Sequence, residues 1–345
     1  MTLGRTLRSI LLLGASLAVA GMLAGCGGFK PAANAKANQP LKQETVSRLS
    51  GMGSSPGAGM MIRIFKESSE LEVWKQTATG YKLFKSYEIC AWSGELGPKV
   101  KEGDRQSPEG FYTITPGLMN PNSNYYLAFN TGFPNKFDRA YGRTGSDLMV
   151  HGDCSSRGCY SMTDESIAEI YALARETFKG GNPSFQLQIY PFRMSVANLA
   201  KHSASPHMSF WKDIKEGYDR FEVSKAPVNW DVCNKEYVFD VPGGTMLDAM
   251  GACPVTVAQN VPASVKAKMA ADDAAMATEV ANLATKAAKA EEEARKAAEA
   301  QAAAKARGEA IGSFIGGLFG GEQVQGVIDP TVQPVVPLPR IRRAA

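Results

Sequence analysis

Residues 149–164 read MVHGDCSSRGCYSMTD. They follow the strand-like DLMVH at Asp147 to His151 and precede a helix start. A strand that runs into His151-Gly152, with Cys159 eight residues on, holds the two parts of a thiol nucleophile site. A cysteine needs a nearby base or positive charge to act as a thiolate at neutral pH, and an imidazole supplies both. The choice of base is narrow, because the chain has three histidines: His151, His202 and His207. Gly152 and Gly158 let backbone approach closely, and the N–H groups around Gly158 suit an oxyanion. By these residues alone Cys154 and Cys159 are not separable. Three other readings stand beside the nucleophile: zinc on His151, Cys154 and Cys159, for which no fourth ligand is evident; a Cys154–Cys159 disulfide; and a structural histidine beside two buried thiols.

Outward from this stretch, alternating apolar runs predict strands at MIRIF (61–65), LEVWK (71–75), YKLFKSYEICAWSG (81–94), GFYTIT (110–115) and YYLAFN (125–130), separated by Pro, Gly and Asn turns. Thr163 and Asp164 open a helix over ESIAEIYALARETFKG, with Asp164 as the expected N-cap, and Gly180-Gly181 closes it. FQLQIYPF at 185–192 returns to strand, and 211–221 carries a weaker helical pattern. Many strands followed by a helix or two predict an α+β domain over 59–241.

The N-terminus determines how the cysteines are read. Arg5 and Arg8 precede the apolar run ILLLGASLAVAGML, which leads to Ala24, Gly25 and Cys26. This is the layout of an export signal, 1–25, and the run is shorter than the roughly 20 residues a spanning helix needs. The ending LAGC resembles the lipobox of bacterial lipoproteins, which implies lipidation of Cys26, anchoring to a membrane and an oxidising, extracytoplasmic address, with the outer membrane favoured. Five of the six cysteines then remain, an odd number that leaves one thiol buried or working. Cys233 and Cys253 are expected to pair. Residues 26–58 are small and polar and predict a flexible tether.

After a linker at 242–261, residues 262–308 are dominated by Ala, Lys and Glu and predict a long helix. Met269, Met276, Leu283, Ala290 and Ala297 repeat every seven residues, but the companion row holds Asp273 and Gln301 at its ends, so a coiled coil and a solvated single helix both fit. Residues 309–345 read as a Gly-rich and then Pro-rich disordered tail. A net charge of +4, with 44% hydrophobic and 21% charged residues, fits an exported globular protein and gives no sign of a nucleic-acid binder.

Ser156-Arg157-Gly158-Cys159, with His151-Gly152 before it, resembles the active-site motif of the L,D-transpeptidase (YkuD-like) family, and YEICAWSGELGPKVKEGDRQSPEGFYTI (87–114) and the run from Asn120 to Asp164 resemble its YafK-type branch. The similarity extends through 210–222. The resemblance implies Cys159 as nucleophile, His151 as general base and Gly158 as part of the oxyanion backbone. Arg157 stands where most of the wider family has histidine. Arg157, Arg143, Ser156, Lys99 and Arg105 are the expected substrate-binding residues, with Lys101 and Thr144 as further candidates. The implied reaction is acyl transfer from peptidoglycan stem peptides through a cysteine thioester, with no metal or cofactor. A hydrolase releasing lipoprotein from peptidoglycan and a non-catalytic peptidoglycan-binding lipoprotein are the alternatives. Peptidoglycan, the membrane and an envelope lipoprotein or coiled-coil chain are the expected partners.

Overall fold

A computed structural model describes residues 35–241, 246–258 and 260–318. The export signal, Cys26, the start of the tether and the tail from 319 lie outside the described residues.

The apolar run MMIRIF forms β1 (Met60–Phe65), buried along its whole length. Such a strand belongs inside a sheet covered on both faces. It pairs antiparallel with β2 (Glu70–Thr77), which pairs with β3 (Gly80–Glu88). On its other edge β1 runs parallel to β9 (Phe185–Tyr190), which pairs antiparallel with β4 (Gly110–Ile114). The sheet order is β3-β2-β1-β9-β4. Alternation divides β1, β9 and β4 between two cores. Ile62, Ile64, Leu187 and Ile189 enter one, and Phe65, Phe111 and Tyr190 the other.

The first core is closed by a second sheet, β5 (Met119–Asn120), β6 (Ala128–Asn130), β7 (Met149–His151) and β8 (Tyr160–Ser161) in that order, together with the helix Asp164–Lys179. The second is closed by the helix Met208–Ser224 and the hairpin of β10 (Trp230–Cys233) and β11 (Glu236–Phe239). In chain order the α-helices are α1 (Gln43–Gly51), α2 (Lys136–Ala140), α3 (Asp164–Lys179), α4 (Val196–Lys201), α5 (Met208–Ser224), α6 (Val255–Ala258) and α7 (Ala263–Leu318). The α+β expectation holds.

Three readings change. The span read as a flexible tether is helical over α1, because Leu49 is fully buried and Thr45 donates to Glu169 of α3 at 2.5 Å. The N-cap of α3 is Thr163, one residue before Asp164, its hydroxyl accepting from the Ser166 N–H. The long helix runs ten residues past 308, to Leu318, through Gly312, Gly316 and Gly317. Its base is seated: Val265 is buried, and Lys268 bridges Asp219 (3.2 Å) and Asp272 (2.7 Å), which also binds Lys215. From Ala281 onward every described residue of α7 is exposed.

A buried ion pair positions the segment that overlies the site. Lys66 donates to the carbonyls of Glu95, Gly97 and Ser107 and to Glu109 Oε1 at 2.9 Å, both side chains being fully buried. Glu109 also accepts from Gly97 N–H and Trp211 Nε1. With its donors and acceptors satisfied, the pair fixes residues 95–109 against the core.

Candidate active site

The strands β7 and β8 run parallel, with Val150 opposite Tyr160 and His151 opposite Ser161, yet residues 152–159 alone connect them. Parallel neighbours usually need a dozen or more connecting residues. The return here is tight, and it uses left-handed backbone: Asp153 at φ 68°, Cys154 at 40° and Gly158 at 114°. Gly152 makes room at the turn: a Cβ there would lie 3.1 Å from the Tyr125 carbonyl and 2.4 Å from Asp164 Oδ1, displacing the carboxylate that accepts the Asp153 N–H.

One further step of the register sets Cys159 opposite Met149, whose N–H points at the Cys159 sulfur at 3.4 Å. Alternate residues share a face, so His151 and Cys159 project from the same side, roughly 8 Å apart at Cα. His151 is 3% exposed. Its Nδ1 lies 2.5 Å from the Gly152 carbonyl, which can only accept, so Nδ1 carries the proton and Nε2 keeps its lone pair. The Tyr125 ring packs against the imidazole, tilted by 33°, at 4.7 Å between centroids. Burial lowers the His151 pKa, against the Gly152 carbonyl and Asp153, which raise it. Burial raises the Cys159 thiol, and Asp147 adds to this, against the Met149 N–H and Lys99. The resting pair is therefore a neutral thiol beside a neutral imidazole. The hydrogen bonds of Cys159 Sγ go to Met149 N and to the Asp147 carbonyl (3.6 Å), and none joins it to His151.

The cysteines separate clearly. Cys154 is bonded to Cys90, Cys233 to Cys253 as expected, and Cys159 is the free thiol among the described residues. This overturns the Cys154–Cys159 disulfide, and it removes Cys154 from any zinc ligand set.

The substrate candidates divide. Ser156 is held within the loop: its hydroxyl donates to the Cys159 carbonyl at 2.7 Å and accepts from the Gly158 N–H at 3.3 Å. That bond engages the Gly158 N–H expected for an oxyanion, and leaves Gly158 a conformational role. The Arg143 side chain is 8% exposed, paired with Asp138 at 2.8 Å and placed over the rings of Phe137, Tyr141 and Phe210, so it shapes the core under α2. Lys99 is 3% exposed and paired with Asp104, and it reaches Cys159 through its field alone. Asp104, despite the opposing effect of burial, is held at about 2 by the Lys101 N–H, Lys99 and the Gln106 and Val100 N–H groups. The Thr144 hydroxyl accepts the Glu102 N–H, and Lys101 is exposed. Arg105 and Arg157 are exposed, with no ion pair among the described residues. The Arg105 carbonyl carbon lies 3.9 Å from where a Cβ on Gly158 would sit, so Arg105 adjoins the nucleophile loop.

Sequence reasoning missed Ser93 and Ser107. Ser107 is fully buried and donates to the Cys159 carbonyl at 3.2 Å, and Ser93 meets the Ser156 hydroxyl at 3.3 Å. It also missed Tyr125 against the His151 ring. A cavity of about 700 Å³ between α1, β3 and α3, lined by Arg48, Tyr87, Tyr126 and Glu169, includes neither Cys159 nor His151.

A thiol that is free among the described residues, at the mouth of a tight strand return with a neutral imidazole on its face, supplies the parts that a cysteine acyl-transfer or hydrolase site needs. Residues 59–183 match the YkuD family, the L,D-transpeptidase catalytic domain. Over 186 residues the chain is 46% identical to the "Putative L,D-transpeptidase YafK" of Escherichia coli (strain K12), covering 54% of this chain and 76% of that protein. The chain therefore belongs to the L,D-transpeptidase (YkuD) family. Among solved structures it is similar to the helical cell shape determining protein Pgp2 of Campylobacter jejuni (TM-score 0.31, 21% identity, 42% of this chain). It is also similar to Bd1075 of Bdellovibrio bacteriovorus (TM-score 0.29, 17% identity, 53% of this chain and 77% of that one). The chain spans about half the length of Pgp2, 54%.

Proposed function

We propose that the protein is a cysteine acyltransferase acting on peptidoglycan stem peptides. The observation that carries this reading is the free Cys159 thiol on the same strand face as His151, whose Nε2 is the unprotonated nitrogen. His151 Nε2 takes the thiol proton as Cys159 Sγ attacks the carbonyl at the L-centre of the stem peptide's diaminopimelate-type residue. Collapse of the tetrahedral adduct breaks the bond to the terminal D-alanine, whose amine leaves with the proton from His151, and a thioester remains on Cys159. An amine from another stem, a D-amino acid or a protein lysine then takes the acyl group. Water as acceptor makes the reaction a hydrolysis. Where the L-centre carbonyl is joined to a lipoprotein lysine in place of D-alanine, the same attack expels that lysine amine with the proton from His151, and water on the thioester completes release of the lipoprotein from the wall. Backbone N–H groups at the mouth hold the oxyanion. Arg157 and Arg105, exposed beside the return, pair with stem-peptide carboxylates. Lipidation at Cys26 and an envelope address on the periplasmic face, outer membrane favoured, belong to the same proposal and rest on the LAGC ending.

The test is mass spectrometry of the purified chain with tetrapeptide muropeptides. The expected result is an acyl adduct on Cys159 that lacks D-alanine, abolished in Cys159→Ala. No adduct, and no product with amine or water, would leave the non-catalytic reading. The products separate transfer from hydrolysis.

A further inference from the structure

The return that carries Cys159 is fastened at two places. Near the nucleophile the fastening is by hydroxyls, Ser156 and Ser107 both donating to the Cys159 carbonyl. At its far end it is covalent. Cys154, whose N–H lies 3.4 Å from the Met162 carbonyl, is bonded to Cys90 with the two Cα atoms 5.0 Å apart. Cys90 is itself fixed to β8, its N–H donating to the Ser161 carbonyl at 2.9 Å, and Ser161 N donates back to the Ala91 carbonyl at 2.9 Å. The disulfide thus ties the return to the flank of the strand that Cys159 opens. The tied stretch has a reason to relax, since Asp153 and Cys154 are successive non-glycine residues at φ 68° and 40°. Both cysteines are exposed, so a thiol reductant reaches them, whereas Cys159 is half-buried.

Building on the acyltransferase reading, we infer that the Cys90–Cys154 disulfide is a positioning element for catalysis. It keeps the return in the shape that sets Cys159 at the Met149 N–H on the face of His151, so the enzyme works oxidised and loses turnover when this bond is opened. Its effect passes through Cys159 and His151, and it touches no reacting atom.

The test uses the full chain carrying Cys233→Ser and Cys253→Ser, so that Cys90–Cys154 is the single disulfide. Two readouts are followed under mild reductant and in the further variant with Cys90→Ser and Cys154→Ser. One is turnover of tetrapeptide muropeptides. The other is the pH dependence of Cys159 alkylation by iodoacetamide, read by peptide mass. Opening the bond is expected to lower kcat about tenfold or more, with KM within about twofold, as misplacement of a reacting group does. Alkylation should speed up at neutral pH, its midpoint moving down toward that of an ordinary thiol as Cys159 leaves its seat. Reoxidation should restore both. A disulfide that serves stability alone would lower the unfolding temperature and leave kcat and the alkylation midpoint where they were, and that result overturns the inference. Where the variant without both cysteines does not fold, reversible reduction of the folded parent, with its far-UV circular dichroism unchanged, decides the same question. If no chain turns over muropeptide, the acyltransferase reading fails, and the alkylation arm still decides whether the disulfide seats the thiol.

Discussion

Cys159 keeps its proton at rest because burial and Asp147 oppose the thiolate, and His151 keeps its lone pair because burial opposes the imidazolium. The base is competent only when neutral. The acid limb of kcat/KM should therefore fall at a midpoint below the ordinary histidine value of about 6.5, with full activity kept near neutrality, in a pH-rate profile. An acid limb centred above 6.5 would contradict the assignment. Stability follows the same sign: with the folded value depressed, the His151 contribution is complete above the unfolded value and is lost as pH falls through the folded one. Gly158 holds φ 114° and faces Leu148 at 3.2 Å from the position of a Cβ. Gly158→Ala should cost about 1–3 kcal/mol, read as a lower urea midpoint at unchanged slope. The motif made Cys159 and His151 legible. Ser107 was not, because a serine 52 residues away reaches the Cys159 carbonyl only through the tertiary fold. Arg143 and Lys99 were read as ligands of substrate since sequence shows a charge but not the Asp138 or Asp104 that meets it.

At the scale of elements, α1 shows why a polar segment can be misread. One leucine and one threonine hold it, too few to give an apolar period, and the partner of Thr45, Glu169 of α3, lies more than a hundred residues on. Leu49→Ala should cost about 2–5 kcal/mol, the range for a buried leucine that leaves a cavity, measured by chemical denaturation. A cost under about 0.5 kcal/mol would mean that α1 does not dock in solution. The parallel pairing of β7 and β8 was equally hidden. Strands of three and two residues carry almost no periodic signal, and the direction of pairing depends on a return that only positive φ angles permit. By contrast β1 and α3 were readable, since a continuous apolar strand and a 3.6-residue stripe are both written into local order.

For the whole molecule, α7 divides into a seated base and a free shaft. Residues 281–318 extend about 57 Å at 1.5 Å per residue, exposed throughout. A chain ending at 280 should keep the unfolding temperature and the turnover of the full chain. One ending at 262 should lose stability by calorimetry, because Asp219, fully buried, is left without Lys268, and Lys215 without Asp272. Equal stability of the two would show that the base does not pack. The layered α+β plan was visible in the order of the runs. The extension of α7 past Gly308 was not, since glycine lowers helix propensity without ending a helix that alanine sustains on either side.

Lys36 donates to the Ser123 carbonyl at 3.3 Å and lies over the Tyr126 ring at 5.3 Å. That turn also carries Tyr125, the ring against His151. An anchor upstream of residue 36, as proposed for Cys26, would therefore meet the domain at the turn beside His151 and, through the Ala37 carbonyl that accepts from Arg175, at α3.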